Sequence, residues 1–245
     1  MSVLADQTIL VTGAHGGIGA ACAHALAQQG ARLIVSDIVD PLATFDSLPA
    51  SGKPHISIIA DVSDAGSVSA LFEEIDQKAP MITGLVHCAG IIHEEPLLDI
   101  EIEDFDRVIS VNLRGSFLVG QEALRRLEGR EGRILLTSSD LGVSGRETFS
   151  PYVASKHGVM GLMRSWAKEF GPRIKVNALC PGPIDTDMLG AANMTPEWRA
   201  RELAIPAERF GKPSEIAAMA AFLMGPDANF ITGQGIGING GSVMP

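Results

Sequence analysis

Two residues that can exchange protons, Tyr152 and Lys156, stand four positions apart in the stretch SPYVASK at 150–156. Ser150 is a good N-cap and Pro151 suits the first helical position, so we expect a helix with both side chains on one face. A cation about 4 Å from a phenol stabilises the phenolate by roughly 4 kcal/mol at an effective dielectric constant of about 20. Unless the pair arises by chance, it predicts a tyrosine that exchanges a proton with an alcohol or a carbonyl group.

A glycine-rich loop, TGAHGGIG at 12–19, could hold a phosphate group. It follows a predicted strand at 8–11 and opens a predicted helix at 17–29. Glycines let the backbone approach a pyrophosphate, and the free N–H groups of a helix N-terminus stabilise its charge. The spacing of Gly13, Gly17 and Gly19 differs from the GxGxxG pattern, but the strand before it and the helix after it favour a nucleotide site.

The second predicted strand, at 32–36, leads directly into Asp37. A carboxylate at this position can bind the ribose hydroxyl groups of a dinucleotide and repels the 2′-phosphate of NADP. Neither Gly16 nor Ile38 offers a cation for that phosphate. The sequence therefore predicts NAD as the cofactor and makes NADP the less favoured one, unless Asp37 only opens a turn.

Apolar segments alternate with helical patterns along the whole chain, which predicts an α/β fold. We expect a doubly wound, Rossmann-type domain over residues 1–245, with a seven-stranded, mainly parallel sheet and helices on both faces. Residues 38–54 should hold at most a short helix, and residues 186–212 should form a substrate lid. Further strands are predicted at 55–60, 84–88, 133–137, 175–179 and 235–238, and further helices at 65–78, 102–127, 151–170 and 214–224.

Composition argues against several classes of protein. The 245 residues carry a formal charge of -10 with a pI near 5.0, so no basic surface indicates nucleic acid or an anionic membrane. Three cysteines without a CxxC pair disfavour a disulfide scaffold and a zinc site. No basic leader and no long apolar run is present, so we expect a cytoplasmic protein. We also expect no metal site.

The glycine loop and the Tyr152-x-x-x-Lys156 pair together resemble the classical short-chain dehydrogenase/reductase family. Asp61-Val62, Asn112, Ser139 and Pro181-Gly182 are similar to further landmarks of that family, in the expected order. One departure is Cys88, which stands where the family has an asparagine after its fourth strand. The resemblance implies that Asn112, Ser139, Tyr152 and Lys156 are catalytic. It also implies a homotetramer and a nicotinamide cofactor held by Gly13, His15, Gly16, Gly17, Ile18, Gly19, Asp37, Asp61, Val62, Cys88, Ala89, Gly90, Tyr152, Lys156, Pro181, Gly182, Ile184 and Thr186.

The resemblance also implies a role for each catalytic residue. Tyr152 would take the hydroxyl proton while hydride passes to the cofactor, and Lys156 would favour the phenolate and bind the nicotinamide ribose. Ser139 would hold the substrate oxygen, and Asn112 would position a water beside Lys156.

Three functions remain open at this point. The first is an NAD-dependent oxidoreductase for a secondary alcohol or ketone, with a sugar or polyol as the small-molecule substrate. The second is an NADP-dependent 3-oxoacyl thioester reductase, and the third is a non-catalytic nucleotide sensor on the same fold. The predicted pocket loops contain His93, Glu94, Glu95, Arg146, Met188, Met194 and Trp198. A second apolar face on two helices, with Phe117, Leu118, Met160, Met163 and Trp166, predicts a partner subunit.

Overall fold

One parallel sheet of seven strands, with helices on both faces, organises the computed structural model, which describes residues 2–79 and 81–244. The terminal residues of the predicted domain, 1 and 245, lie outside that range. The strands are β1 (Thr8–Thr12), β2 (Arg32–Asp37), β3 (Ile56–Ile59), β4 (Gly84–His87), β5 (Gly132–Thr137), β6 (Ile174–Pro181) and β7 (Gly235–Ile238). The helices are α1 (Gly17–Gln28), α2 (Leu42–Ser47), α3 (Ala65–Lys78), α4 (Ile102–Ile109), α5 (Gly115–Leu127), α6 (Ser150–Phe170), α7 (Pro196–Glu202) and α8 (Pro213–Met224).

The strand order, β3-β2-β1-β4-β5-β6-β7, confirms the predicted doubly wound topology. Strand β1 lies in the middle, where Val11 is in register with Val35 of β2 and Val86 of β4. The winding reverses between β1 and β4, and such a reversal opens a crevice beyond the carboxyl ends of the strands. Every named pair in this sheet is parallel.

Two apolar layers hold the sheet between its helices. On one face, Phe72 of α3, Leu124 of α5 and Met163 of α6 pack with β5 residues such as Ile134. On the other face, Leu26 of α1 and Ala220 of α8 pack with Val35 and Val86. Because both faces are covered, β1 is buried at every position, as its continuous apolar sequence predicts.

The predicted helix at 102–127 contains a feature that its sequence did not reveal. A five-residue π-helical segment, Ser110–Arg114, joins α4 to α5 and contains Asn112. Wider π-helical turns displace backbone groups from the usual hydrogen-bond ladder and occur often at functional sites.

The start of α6 differs by one residue from the prediction. The helix begins at Ser150, and Phe149 takes the N-cap position without a side-chain hydrogen bond, so Ser150 is not the cap. Pro151 still lies in the first turn, where its missing N–H costs nothing. Tyr152 and Lys156 both lie on α6, as predicted.

The prediction of at most a short helix within residues 38–54 is confirmed, whereas the lid at 186–212 stays a prediction. Residues 38–54 hold only the six-residue α2, and residues 186–212 hold a short turn at 191–193 and α7.

The prediction of a second apolar face for a partner subunit is wrong for Met160, Met163 and Trp166, because these side chains are buried in the core. Phe117, in contrast, is 40% exposed. Within residues 2–79 and 81–244, no helix combines the length and apolarity needed to cross a bilayer.

Candidate active site

A cavity of about 830 Å³ lies beyond the carboxyl ends of the central strands, where the winding reverses. Its wall contains each residue predicted to bind the cofactor, together with Ser139, Tyr152 and Lys156. Asn112 is buried behind this wall. The structure thus brings the glycine loop, the end of β2 and the start of α6 to one space, although the role of each residue remains a prediction.

The glycine loop has a backbone that other residues would disrupt. Gly13 has a φ of +69°, and a Cβ atom there would lie 2.6 Å from the backbone nitrogen of Ala89. A Cβ atom on Gly19 would lie 1.9 Å from the carbonyl oxygen of Gly13. Helix α1 begins at Gly17 without a side-chain cap, so its first N–H groups remain available to an anion at the cavity.

Asp37 closes the far end of the cavity, and its carboxylate accepts backbone hydrogen bonds. His15 N donates to Oδ2 at 3.0 Å, and Val39 N donates to Oδ1 at 3.3 Å. These contacts fix a negative charge beside the glycine loop. Within the described part of the chain, no lysine or arginine lines this end of the cavity.

Tyr152 and Lys156 are both buried, at 9% and 4% exposure. The ammonium nitrogen of Lys156 lies 5.5 Å from the centre of the Tyr152 ring and donates to Thr137 O at 2.9 Å. Burial raises the pKa of Tyr152 to about 12, a hydrogen bond with Ser139 lowers it, and the charge of Asp140 raises it. Burial also lowers the pKa of Lys156 to about 8. The predicted lowering of the phenol's pKa by Lys156 is therefore wrong for this structure, because burial outweighs a cation that faces the ring.

Ser139 belongs to a hydrogen-bonded group that the sequence reasoning missed. Its Oγ donates to Oδ1 of Asp140 at 2.9 Å and accepts from Leu141 N at 3.1 Å. Oδ1 of Asp140 also accepts from Leu141 N at 2.8 Å, and Oδ2 accepts from Ser242 Oγ at 2.6 Å. Asp140 directly follows the predicted serine and could have been noticed, but nothing local in the sequence links Ser242 to it.

Asn112 ties the π-helical segment to its neighbours. Its Oδ1 accepts from Ile91 N at 2.8 Å, and its Nδ2 donates to Ile91 O at 2.9 Å and to Ser155 Oγ at 3.1 Å. Gly90 separates it from Lys156, since a Cβ atom there would lie 3.2 Å from Asn112 Oδ1 and 3.4 Å from Lys156 Nζ. The side chain thus holds α6 and the loop after β4 together, while its predicted role in placing a water remains a prediction.

Cys88, which departs from the family pattern, still connects two strands. Thr137 Oγ1 donates to its Sγ at 3.4 Å, which links the ends of β4 and β5. The neighbouring His87 is buried, with Nδ1 at 2.7 Å from Thr12 Oγ1. Burial, followed by the charge of Lys156, lowers the pKa of His87 to about 3, so its ring is neutral at physiological pH.

Five of the seven residues predicted in the pocket loops line the cavity. Glu94, Arg146, Met188, Met194 and Trp198 line it. His93 and Glu95 do not; His93 Nε2 instead lies 2.9 Å from Glu95 Oε2.

Arg146 joins the segment at 186–212 to the loop before α6. Its guanidinium lies 4.9 Å from the ring centre of Phe149 and 5.2 Å from that of Trp198. It also forms an ion pair with Glu202 of α7, which is 7% exposed. Glu202 was not among the predicted pocket residues, because the pair spans a long sequence separation.

A parallel sheet with a glycine turn at its winding reversal, and a tyrosine and lysine in the same cavity, defines a dinucleotide-dependent oxidoreductase. Residues 13–242 match the family described as enoyl-(acyl carrier protein) reductase. The chain is 39% identical to a 3-oxoacyl-[acyl-carrier-protein] reductase of Thermotoga maritima, over 98% of this chain and 99% of that protein. It is 35% identical to a short-chain dehydrogenase/reductase of Armillaria gallica, over 99% and 98%.

A solved structure is also similar to this chain. It is described as an NAD(P)-dependent gluconate 5-dehydrogenase of Beutenbergia cavernae with bound NADP, and it superposes with a TM-score of 0.89 at 32% identity over 96% of each chain. The chain belongs to the classical short-chain dehydrogenase/reductase family. It is an enzyme that uses a nicotinamide cofactor to act on a hydroxyl or keto group of a small molecule.

Proposed function

We propose that this protein is an NAD-dependent oxidoreductase that interconverts a secondary alcohol and its ketone, with a neutral sugar or polyol as substrate. The observation that carries the proposal is the convergence of Ser139, Tyr152 and Lys156 on the wall that also contains the glycine loop. This arrangement puts a hydroxyl group, a phenol and an ammonium group beside the site of a dinucleotide. The cofactor, when bound, supplies the hydride acceptor or donor.

The chain's own residues handle the proton. In oxidation, Tyr152 takes the proton from the substrate hydroxyl group; in reduction, its phenol returns a proton to the carbonyl oxygen. Ser139 would hold the substrate oxygen, and Lys156, which donates to Thr137 O at 2.9 Å, keeps further N–H groups that would bind the cofactor ribose and serve a proton path. With a pKa of about 12 for Tyr152, the protonated form dominates at neutral pH, which suits proton donation to a ketone.

The choice of NAD rests on the charge at the end of β2. Asp37 is held by two backbone N–H groups at the cavity, and a 2′-phosphate there would meet its carboxylate. Ribose hydroxyl groups, in contrast, would donate to it. The NADP in the Beutenbergia structure belongs to that protein and sets the competing expectation.

The neutral substrate is supported by the charges around the substrate end. Five carboxylates line that part of the wall against three cations: Glu94, Asp140, Glu147, Asp187 and Glu202 against Arg146, Lys156 and Arg201. An anionic substrate would meet excess negative charge, whereas hydroxyl groups can donate to carboxylates.

A second candidate is a 3-oxoacyl thioester reductase that uses NADP. The printed function of the Thermotoga maritima relative favours it. The two candidates differ in cofactor and in substrate, so one set of assays separates them.

We further propose that residues 186–212 act as a lid and that the enzyme assembles as a homotetramer. The lid is supported by the positions of Met188, Met194 and Trp198 in the cavity wall and by the ion pair between Arg146 and Glu202. The tetramer is supported by exposed apolar side chains on α4 and α5, including Ile102 and Phe117.

The test is a set of initial rates with NAD and NADP, followed by the absorbance of the reduced cofactor. Secondary alcohols, polyols, sugars and acetoacetyl-coenzyme A form the substrate panel. We expect NAD-dependent oxidation of polyols or related alcohols and a higher kcat/KM with NAD. Activity confined to acetoacetyl-coenzyme A with NADPH would contradict the proposal and select the second candidate.

A further inference from the structure

The carboxylate of Asp140 lies next to the atom that holds the substrate oxygen, yet the proton transfer described above does not use it. Its Oδ1 is 2.9 Å from Ser139 Oγ, and the residue lines the cavity and is only partly buried. An acceptor in this position can also bind a hydroxyl group of the substrate.

The hydrogen bonds of Asp140 leave room for one more donor. An ionised carboxylate offers about four acceptor positions. Ser139 Oγ and Leu141 N occupy Oδ1, and Ser242 Oγ occupies one position of Oδ2. One acceptor position on Oδ2 remains, and the bond from Ser242 fixes the orientation of this oxygen.

We propose that Asp140 is a specificity-determining residue that selects substrates with a second hydroxyl group on the carbon next to the reacting one. This inference rests on the proposed function. When the substrate oxygen lies against Ser139, the neighbouring carbon reaches the carboxylate, and a hydroxyl group there donates to the free position of Oδ2. Vicinal diols and α-hydroxy ketones provide this donor in the two directions of the reaction.

The same carboxylate disfavours substrates that carry only acceptors near the reacting carbon. A 3-oxoacyl thioester has carbonyl oxygens and no hydroxyl donor beside its keto group. A carbonyl oxygen placed against an ionised carboxylate gains no hydrogen bond and repels it, so binding of that substrate is weakened. Asp140 therefore separates the two candidate substrate classes by hydrogen-bond direction.

The test compares matched pairs of substrates that differ only in the neighbouring hydroxyl group. The pairs are butane-2,3-diol with butan-2-ol, and cyclohexane-1,2-diol with cyclohexanol. The readout is the ratio of kcat/KM for the diol to that for the mono-alcohol, with NAD as cofactor. We expect the wild-type ratio to favour the diol in each pair.

Asp140→Asn is the first variant, because it keeps the size of the side chain and lets the amide oxygen accept from Leu141 N and Ser139. Its NH₂ group then faces Ser242 and the substrate as a donor. We expect the diol-to-mono-alcohol ratio to fall by about tenfold, the scale of one hydrogen bond to a charged group. Asp140→Ser, a smaller variant, should lower the ratio in the same direction, and NADH binding by fluorescence shows that each variant is folded.

Asp187→Asn is the matched control, since Asp187 is an exposed aspartate in the wall of the same cavity and lies in the lid segment. It removes the same charge without touching Ser139, so the ratio should stay at the wild-type value. A ratio that is unchanged in Asp140→Asn, or that falls equally in Asp187→Asn, would overturn the inference while the proposed function stands. Wild-type activity confined to acetoacetyl-coenzyme A would overturn both.

Discussion

At the scale of single residues, the structure changes the view of the predicted acid and base. Tyr152 was expected to be tuned by Lys156, but the ammonium group faces the ring and binds Thr137 O. Burial dominates the pKa of Tyr152, and Asp140 raises it further while Ser139 lowers it. The charge that adjusts the pKa of this phenol is thus the carboxylate of Asp140, where the sequence predicted the lysine.

Asp140→Asn should shift the pH dependence of alcohol oxidation toward lower pH. Oxidation needs the phenolate, so kcat/KM rises by about tenfold per pH unit below the pKa of Tyr152. Removing the negative charge of Asp140 lowers that pKa, because a carboxylate nearby disfavours a second negative charge. The measurement is kcat/KM against pH for both proteins. The same profile for wild type and variant would show that the carboxylate does not act on the phenol.

Asp37→Ser should weaken the preference for NAD. The change removes both the acceptor for the ribose hydroxyl groups and the charge that repels a 2′-phosphate. We expect kcat/KM with NAD to fall by about tenfold, because a hydrogen bond to a charged group is lost. We expect kcat/KM with NADP to rise, because the charge that repels the 2′-phosphate is gone. Asp40→Asn, an exposed neighbour, is the control. A wild-type protein that already prefers NADP would contradict the role of Asp37.

At the scale of elements, two ion pairs join the proposed lid segment to the loop before α6: the partly buried Arg146–Glu202 pair and the exposed Arg201–Glu147 pair. Arg146 binds Glu202 of α7 and lies between the rings of Phe149 and Trp198. These contacts join the loop before α6 to the segment that we propose as the lid. Closure of such a segment excludes water and positions the substrate.

Glu202→Gln should raise the KM for the substrate while leaving the KM for NAD nearly unchanged. The substitution leaves the guanidinium of Arg146 without its charged partner, and removing one member of a buried pair is costly. We expect the substrate KM to rise by about tenfold. Glu74→Gln, which breaks the exposed Glu74–Lys78 pair on α3, is the matched control. Equal KM values in wild type and Glu202→Gln would show that this pair does not hold the lid.

Much of the element order was predictable because it depends on local patterns. Short, β-branched apolar segments such as 33–35 are typical of buried strands between helices, and the glycine loop fixes where the first helix begins. The π-helical segment around Asn112 was not predictable from local sequence, and the partners of the Asn112 side chain, Ile91 and Ser155, lie far from it in the chain.

Contacts between distant parts of the chain also explain why two site residues were not predicted. Ser242 reaches Asp140, and Glu202 reaches Arg146, only because the fold joins distant parts of the chain. The pKa of Tyr152 depends on how deeply α6 is buried, which a spacing of four residues does not reveal. The sequence predicts Tyr152 as the proton carrier, and three-dimensional packing decides its protonation state.

At the scale of the whole molecule, α4 and α5 carry apolar side chains that nothing covers in a single chain. Ile102 is 63% exposed and Phe117 is 40% exposed. Exposed apolar groups of this kind favour contact with another subunit.

The proposed homotetramer predicts a light-scattering mass of about four times the 25.8 kDa of the chain. Phe117→Asp places a charge in the proposed contact and should lower the mass. The control is Ser69→Asp, which places a charge on an exposed polar residue of α3. A wild-type mass near 25.8 kDa would contradict the tetramer.

The most direct measurement of the central proposal is the turnover of Tyr152→Phe with the best alcohol found, together with its affinity for NADH. The variant keeps the ring and removes the proton carrier. We predict that kcat falls by about 10²- to 10⁴-fold, the usual contribution of general acid–base catalysis, while NADH binds as in the wild type. A variant with near wild-type kcat would show that another group carries the proton and would contradict the proposed mechanism.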